Sequence, residues 1–387
     1  MKSRSLKVGV IGAGMGGLAL AAGLSRRGVD VHVFEQTPAF ARVGAGIQVS
    51  SNTMNVLASL GLDQRISDQG FHPQKYESRD WDTGLITNQV VLGDKHEQRF
   101  GKPHVVMHRG DLHSGLLSAV PAERIHLGRK FKDISQRDGK VTFTFEDGGS
   151  ETADILIACD GVHSRVRELV LQVVDANFSG YISQRAVYPT KLLPADLMER
   201  LKVNHFTKWW GTDRHVVSYF VTSALDEIYF ATSYQSKTWE SESWSALGDV
   251  AEMSALFEGF HPDIKIILDR CPKVYKLAVF EREPMTRWVD GHIAVLGDAA
   301  HPMTPYMAQG GAMALEDAAV LTRCLTDLDV APADALKIYQ NTRIARASTA
   351  QKISHGNTWL RKAEDSAWVY EYNAWKVPLA DVNTIAA

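Results

Sequence analysis

Lys7-Val-Gly-Val-Ile11-Gly12-Ala-Gly14-Met15-Gly-Gly17-Leu-Ala-Leu20 passes from a short β-branched run through a glycine turn into an apolar helix. The pattern predicts a strand over 7–11, a helix over 18–27 and a second strand at Val31-His-Val-Phe34 that ends on Glu35. Strand, glycine turn, helix and strand in this order are the setting in which G-x-G-x-x-G binds a dinucleotide. Gly12 permits the tight turn, Gly14 lets a pyrophosphate approach the backbone, and Gly17 lets the helix pack on the strand. Free N–H groups at the helix start face the phosphates. Glu35, about 20 residues further on, accepts from ribose hydroxyls and its charge repels a 2′-phosphate. The set expected to hold the dinucleotide here is Gly12, Gly14, Met15, Gly17, Glu35 and Gln36. The motif does not separate NAD from FAD, and a glycine turn that serves packing alone is the other reading.

The 387 residues are 45% hydrophobic, enough to bury cores for on the order of two or three domains. A net charge of −3 offers no basic surface to nucleic acid or anionic lipid. Cys159, Cys271 and Cys324 are far apart and form no C-x-x-C pair, which fits a reducing compartment rather than a disulfide framework or a zinc site. No apolar run reaches the roughly 18 residues of a spanning helix. Met1-Lys-Ser-Arg-Ser-Leu6 is short and polar for a signal peptide. A cytoplasmic enzyme is expected, monomeric or homodimeric, with no metal and no nucleic-acid or membrane partner.

Two further motifs follow in order. Asp160-Gly161-Val-His-Ser164-Arg-Val-Arg167 comes after the strand-like Asp154-Ile-Leu-Ile-Ala-Cys159, and Gly297-Asp298-Ala-Ala-His301-Pro302 comes after His292-Ile-Ala-Val-Leu296. With the first motif they resemble the group A flavoprotein monooxygenases, the FAD-dependent aromatic hydroxylases of the para-hydroxybenzoate and salicylate class. The resemblance implies a bound FAD and a transient visit by NADH or NADPH. It assigns Asp298 to the ribityl chain, Asp160 and Arg167 to the flavin and the reduced nicotinamide, and Arg109 and Arg42 to the cofactor side. Ala308-Gln-Gly310-Gly311-Ala312 opens a helix, and its Gly310, Gly311 and Ala312 are expected to turn N–H groups toward the flavin edge that gains charge on reduction.

Between the two halves the pattern changes. Tyr181–Tyr188, His205–Trp210, His215–Val221 and Glu227–Tyr234 read as closely spaced strands, and 239–269 as loop and helices. The fold class expected is α/β: a Rossmann-like FAD-binding domain with an inserted, mostly antiparallel β-sheet substrate domain. Its parts are 1–178 (FAD-binding, first part), 179–272 (substrate sheet with helices), 273–355 (FAD-binding, second part) and a Trp- and Tyr-rich tail over 356–387. Side chains alternate faces along a strand, so His215, Val217 and Tyr219 share one face.

Lys208-Trp-Trp-x-x-x-Arg-His215-x-x-x-Tyr219, Gly44-Ala-Gly-Ile47, Asn357-Thr-Trp-Leu360 and Trp368-Val-Tyr370 are similar to the 6-hydroxynicotinate-hydroxylating branch of that family. Two positions depart from it: Gln48 stands where that branch carries His, and Phe206 where it carries Cys. Gln keeps hydrogen-bonding capacity but cannot take up a proton near neutrality. The resemblance implies NAD(P)H- and O2-dependent hydroxylation of a hydroxylated aromatic or pyridine carboxylic acid, with loss of the carboxylate when the attacked carbon bears it. Expected catalytic residues are His215, which orients or deprotonates the ring hydroxyl, Tyr219 and His301. Expected substrate contacts are Gln48, Phe206, His215, Tyr219, His301, Pro302 and Met303. A salicylate- or 4-hydroxybenzoate-type hydroxylase, a non-oxygenating flavoprotein and an NAD-only dehydrogenase remain the alternatives.

Overall fold

Val8, Val10, Ile155 and Ile157 are wholly buried, as near-continuous apolar strands must be when both faces of a parallel sheet are covered. The computed structural model describes residues 6–42, 44–173, 177–237, 239, 246–362 and 365–383. Residues 1–5 of the polar N-terminal stretch, and 238 and 240–245 at the start of the expected loop and helices, lie outside them.

The first sheet has the order Val289–Asp290, Ile293–Val295, Ile155–Ala158, Lys7–Ile11, Asp30–Phe34, Ile125–His126. It is parallel except at the Val289–Asp290 edge. The helix Met15–Arg26 begins earlier than the apolar periodicity suggests, because Met15, Gly16 and Gly17 already form its first turn. Gly12 sits at φ +98°, and a Cβ there would lie 2.4 Å from the Cys159 carbonyl oxygen, so the crossing of turn and neighbouring strand admits only glycine. Helices Gly310–Thr326 and Pro332–His355 complete this half.

The second large sheet has eight strands, ordered Leu247–Gly248, Val274–Glu281, Asn177–Pro189, Glu227–Gln235, Arg214–Phe220, Phe206–Trp210, Lys75–Asp80 and Ile86–Val91. All its junctions are antiparallel but one, between Phe206–Trp210 and Lys75–Asp80. Lys75–Asp80 arrives from far back in the chain, as a parallel neighbour must, since only a long crossover can join parallel strands. The lid sheet thus recruits residues 75–91 from the stretch read as the first FAD-binding part, and 274–281 from the second. Its outer face is covered by Val250–Leu256 and Pro262–Asp269, whose Ile264, Ile267 and Leu268 join Phe230 and Phe257 in one apolar cluster. A separate cluster of Tyr76, Phe206, Tyr219, Met307, Met313, Trp359 and Tyr370 fills the seam between the lid sheet, the late helices and the C-terminal tail. Among the described residues no helix is long and apolar enough to cross a membrane.

Candidate active site

A cavity of about 1000 Å³ runs from the glycine turn to the inner face of the lid sheet. At the turn, Gly12, Gly14, Met15, Glu35 and Gln36 line it. A Cβ at Gly14 would meet nothing within 4 Å, and no side chain caps the helix that starts at Met15. Open space therefore faces uncapped N–H groups, the requirement for a pyrophosphate. Glu35 closes its strand by accepting from the backbone N–H of Ala13 (2.8 Å) and of Thr37 (2.9 Å).

The middle and late motifs meet across the cavity. Asp160, Asp298, Gly310 and Gly311 line it, as does Arg109 at the start of its own helix. Asp160 accepts from the Val166 N–H through Oδ2, while its Oδ1 is buried with no partner among the described residues. Burial raises this carboxyl above its ordinary range. An orphaned acceptor, open space at Gly14 and two helix N-termini aimed into an elongated cavity suit a dinucleotide cofactor such as FAD. Glu35 and the Gly12–Gly17 turn would hold its adenosine diphosphate half, and Asp298 with Gly310 and Gly311 its flavin half.

Opposite lies the lid sheet, and register determines what it presents. Directly paired residues share a face. Three cross-strand rows result: Trp210–His215–Ser233, Lys208–Val217–Ala231–Arg185 and Phe206–Tyr219–Tyr229. His215, Val217, Tyr219, Tyr229, Ala231, Ser233, Arg185 and Lys208 line the cavity. Burial, with the Lys208 and Arg361 charges adding to it, pushes His215 well below its usual range, so its imidazole is neutral. Burial likewise raises the Tyr219 phenol, which stays protonated. A Cβ on Gly46 would lie 2.6 to 2.7 Å from the Tyr219 and Tyr229 rings, so glycine there lets the strand Gly46–Val49 pass under both tyrosines and bring Gln48 to the cavity. Met303 also lines it, beside Tyr306, whose hydroxyl hydrogen-bonds Ser233 (2.9 Å) and whose ring meets His215 edge-on at 5.5 Å.

Several expected site residues stand elsewhere. Phe206 is buried behind Tyr219, edge-on to it at 5.3 Å and to Tyr76 at 5.1 Å, and does not reach the cavity. It is the direct cross-strand partner of Tyr219, and the larger ring fills the interior behind it. His301 is also buried away from the cavity: its Nε2 donates to Asp317 Oδ2 (2.6 Å) and its ring packs on Trp288. Burial opposes ionisation of Asp317, but the charges of His301 and Arg343 hold its carboxyl low, at about 2. Asp317 Oδ2 accepts from the Gly297 N–H as well, so His301 braces the late turn. Pro302 is buried, its carbonyl accepting from Gln351.

Arg167 is buried behind the cavity. It donates to the carbonyls of Ala299 (2.9 Å) and Val162 (2.7 Å), tying the middle motif to the late one. Arg42 is shared between Asp111 and Glu227 on the surface and holds the Gly44–Ile47 region to the lid. Gly17 packs on the Gly12 carbonyl, and Ala312 is buried in its helix.

Other lining residues had no role assigned from sequence. Lys208 is one; a lysine amid Phe206-x-Lys208-x-Trp210 on the apolar side of a strand is the available signal. Trp359 and Leu360 of the tail form a wall. The Leu360 carbonyl accepts from Ser78 (2.8 Å) and Asn88 (2.9 Å) of the lid. No group of three or more metal-ligating side chains occurs among the described residues.

The family profile described as "FAD binding domain" matches residues 5–354. The 6-hydroxynicotinate 3-monooxygenase of Pseudomonas fluorescens is 40% identical over 386 residues, covering 100% of both chains. The 3-amino-4-hydroxybenzoate 2-monooxygenase of Streptomyces cremeus is 35% identical across 91% of this chain and 86% of its own. Among solved structures, Klebsiella pneumoniae HpxO complexed with FAD and uric acid superposes with a TM-score of 0.80 at 26% identity, over 94% of this chain and 91% of that one.

Proposed function

Because the chain belongs to the FAD binding domain family and is an FAD-dependent aromatic monooxygenase, we propose that it hydroxylates a hydroxylated pyridine or benzene carboxylic acid at the carboxylate-bearing carbon, 6-hydroxynicotinate first among candidates. The observation that carries this reading is the neutral, cavity-facing imidazole of His215 on the same strand face as the protonated phenol of Tyr219, with the Val217 row between them. Bound FAD, reduced by NADH or NADPH, supplies one oxygen atom of O2 as an electrophile.

His215 accepts the proton of the ring hydroxyl at its open nitrogen, and Tyr219 donates to a neighbouring substituent. The ring oxygen then pushes electron density to its ortho and para carbons, one of which carries the carboxylate. When that carbon takes oxygen, the bond to the carboxylate breaks, CO2 leaves and its electron pair restores the aromatic ring. Gln48 holds a polar substituent without exchanging a proton at neutral pH. Trp359 and Leu360 keep water from the reacting face, which suppresses wasteful discharge of the oxidant.

The test is substrate-stimulated NADH and NADPH oxidation by the purified holoenzyme, with product mass, over 6-hydroxynicotinate, salicylate and 4-hydroxybenzoate. A product in which hydroxyl replaces carboxylate is the expected outcome. Oxidation that no acid stimulates, or a product that retains its carboxylate, refutes the reading.

A further inference from the structure

The carboxylates that line the cavity are Glu35, Glu146, Asp160 and Asp298, all in the dinucleotide half. The lid half contributes two cations, Arg185 and Lys208, and no carboxylate. Lys208 stands out because it is buried and, among the described residues, has no acidic partner. Its Nζ lies over the Trp210 ring at 3.9 Å and over Tyr306 at 5.8 Å, and it donates to Asn357 Oδ1 at 3.5 Å. A second cation, Arg361, covers the same Trp210 ring at 5.2 Å, so the surroundings add repulsion. Burial pushes the Lys208 ammonium down to about 7, with Arg361 contributing. An ammonium out of water and without a counter-ion is costly to keep. Such costs persist where function needs them.

Register fixes where this cation points. Lys208 pairs with Val217, and His215 is the next residue along the same face of that strand, so the two are diagonal neighbours. Diagonal pairs on an antiparallel sheet stand roughly 7–8 Å apart, a spacing that one aromatic ring with a substituent at each end can bridge. Val217 and Ala231, small and apolar, continue the row and give such a ring a flat floor.

We propose that Lys208 is the residue that binds the carboxylate of the aromatic acid, holding it across the ring from the hydroxyl at His215 and so selecting acids over their neutral analogues. This rests on the function proposed above and adds the residue that reads substrate charge at that site.

The holoenzyme and its Lys208→Met and Lys208→Arg variants are titrated, following the flavin spectrum, with acid and carboxamide pairs: 6-hydroxynicotinate and 6-hydroxynicotinamide, salicylate and salicylamide, 4-hydroxybenzoate and 4-hydroxybenzamide. Nicotinate, which lacks the ring hydroxyl, is the control. Loss of a charged hydrogen bond predicts that Lys208→Met weakens the acid on the order of 10- to 100-fold and the amide by less than about 3-fold. Lys208→Arg retains most of the discrimination. Lys208→Met also melts at or above wild type, since a buried unpaired charge has gone, whereas a lysine kept for structure would lower the melting temperature.

Equal losses for acid and amide, or unchanged acid binding, overturn the inference and leave the proposed function standing. A loss that follows the ring hydroxyl, sparing nicotinate, overturns it in favour of a contact to the ring oxygen. If no acid perturbs the wild-type flavin, the proposed function falls and the inference falls with it.

Discussion

At the Glu35 end of the cavity the chain offers mainly its backbone, and at the Lys208 end it offers side chains. Around Gly12 and Gly14 the useful groups are N–H donors exposed by a turn that leaves no room for a Cβ at Gly12 or Gly17 and open space at Gly14. Their relative positions are set by residues close in sequence. On the lid, Lys208, His215 and Arg185 come from three strands and meet through cross-strand register. At Gly12 and Gly17 the first half admits no side chain, while the second can change its ligand by changing a side chain and keeping the sheet. A scaffold divided in this way keeps its cofactor and varies its substrate.

The sharpest attempt to break that comparison is Gly17→Ala. A Cβ there would sit 2.1 Å from the Gly12 carbonyl oxygen, a clash with backbone that cannot swing aside. Overpacking of this kind costs about 3 kcal/mol or more, and the expected product is protein with little bound flavin, read from its visible flavin absorbance and its melting curve. A yellow protein with wild-type melting would show that the turn is not the rigid element described. On the other side, His215→Asn should leave flavin content intact and lower kcat for product by roughly 10²- to 10⁴-fold, the usual worth of a general base. If flavin is lost along with activity, the two halves are not separable.

Next in size is Arg167→Met, which takes the Arg167 donor from the buried Ala299 carbonyl and should cost about 1–3 kcal/mol in chemical denaturation. FAD retention should fall too, because Arg167 ties the two motifs that line the cavity.

A pH experiment probes the back of the lid seam. Burial pushes His96 down to about 4, and His104 and His205 to about 3. Both ring nitrogens of His104 and one of His96 are buried with no partner among the described residues. With folded values below the ordinary 6.5, the native state binds fewer protons than the unfolded chain. Stability is therefore full above pH 6.5 and is lost as pH falls from there toward 4. Each histidine contributes a slope of up to about 1.4 kcal/mol per pH unit. Melting curves between pH 7.5 and 4.5 should show the loss, and His104→Phe should flatten it.

The smallest effect is expected from Arg42→Met. Its ion pairs to Asp111 and Glu227 are partly exposed, and such pairs are worth less than about 1 kcal/mol. Flavin content unchanged from wild type would confirm that Arg42 fastens the lid rather than the cofactor.

This division also accounts for what could be read from the sequence. The strand Lys7–Ile11 and the glycine turn were legible because spacing along the chain is spacing in space there. His215 and Tyr219 were legible as one face of one strand. Phe206 is expected in the cavity from the resemblance, which compares residue types position by position and says nothing about depth; its ring lies behind Tyr219. His301 and Arg167 sit in motifs that line the cavity but brace it from behind, a distinction made by contacts outside each motif, from His301 to Asp317 and from Arg167 to the distant Ala299. The parallel strand Lys75–Asp80 and the Trp359–Leu360 wall depend on pairings across well over a hundred residues, which local pattern cannot register.

The tail wall has a consequence in time. Trp359 and Leu360 are translated after every other residue that lines the cavity, roughly fifty positions behind Gly311. At the usual pace of synthesis, about 5–20 residues per second, that gap lasts about 2 to 10 s. During those seconds a nascent chain already carries the glycine turn, the late motif and the lid strands, while the side that Trp359 will cover is still open.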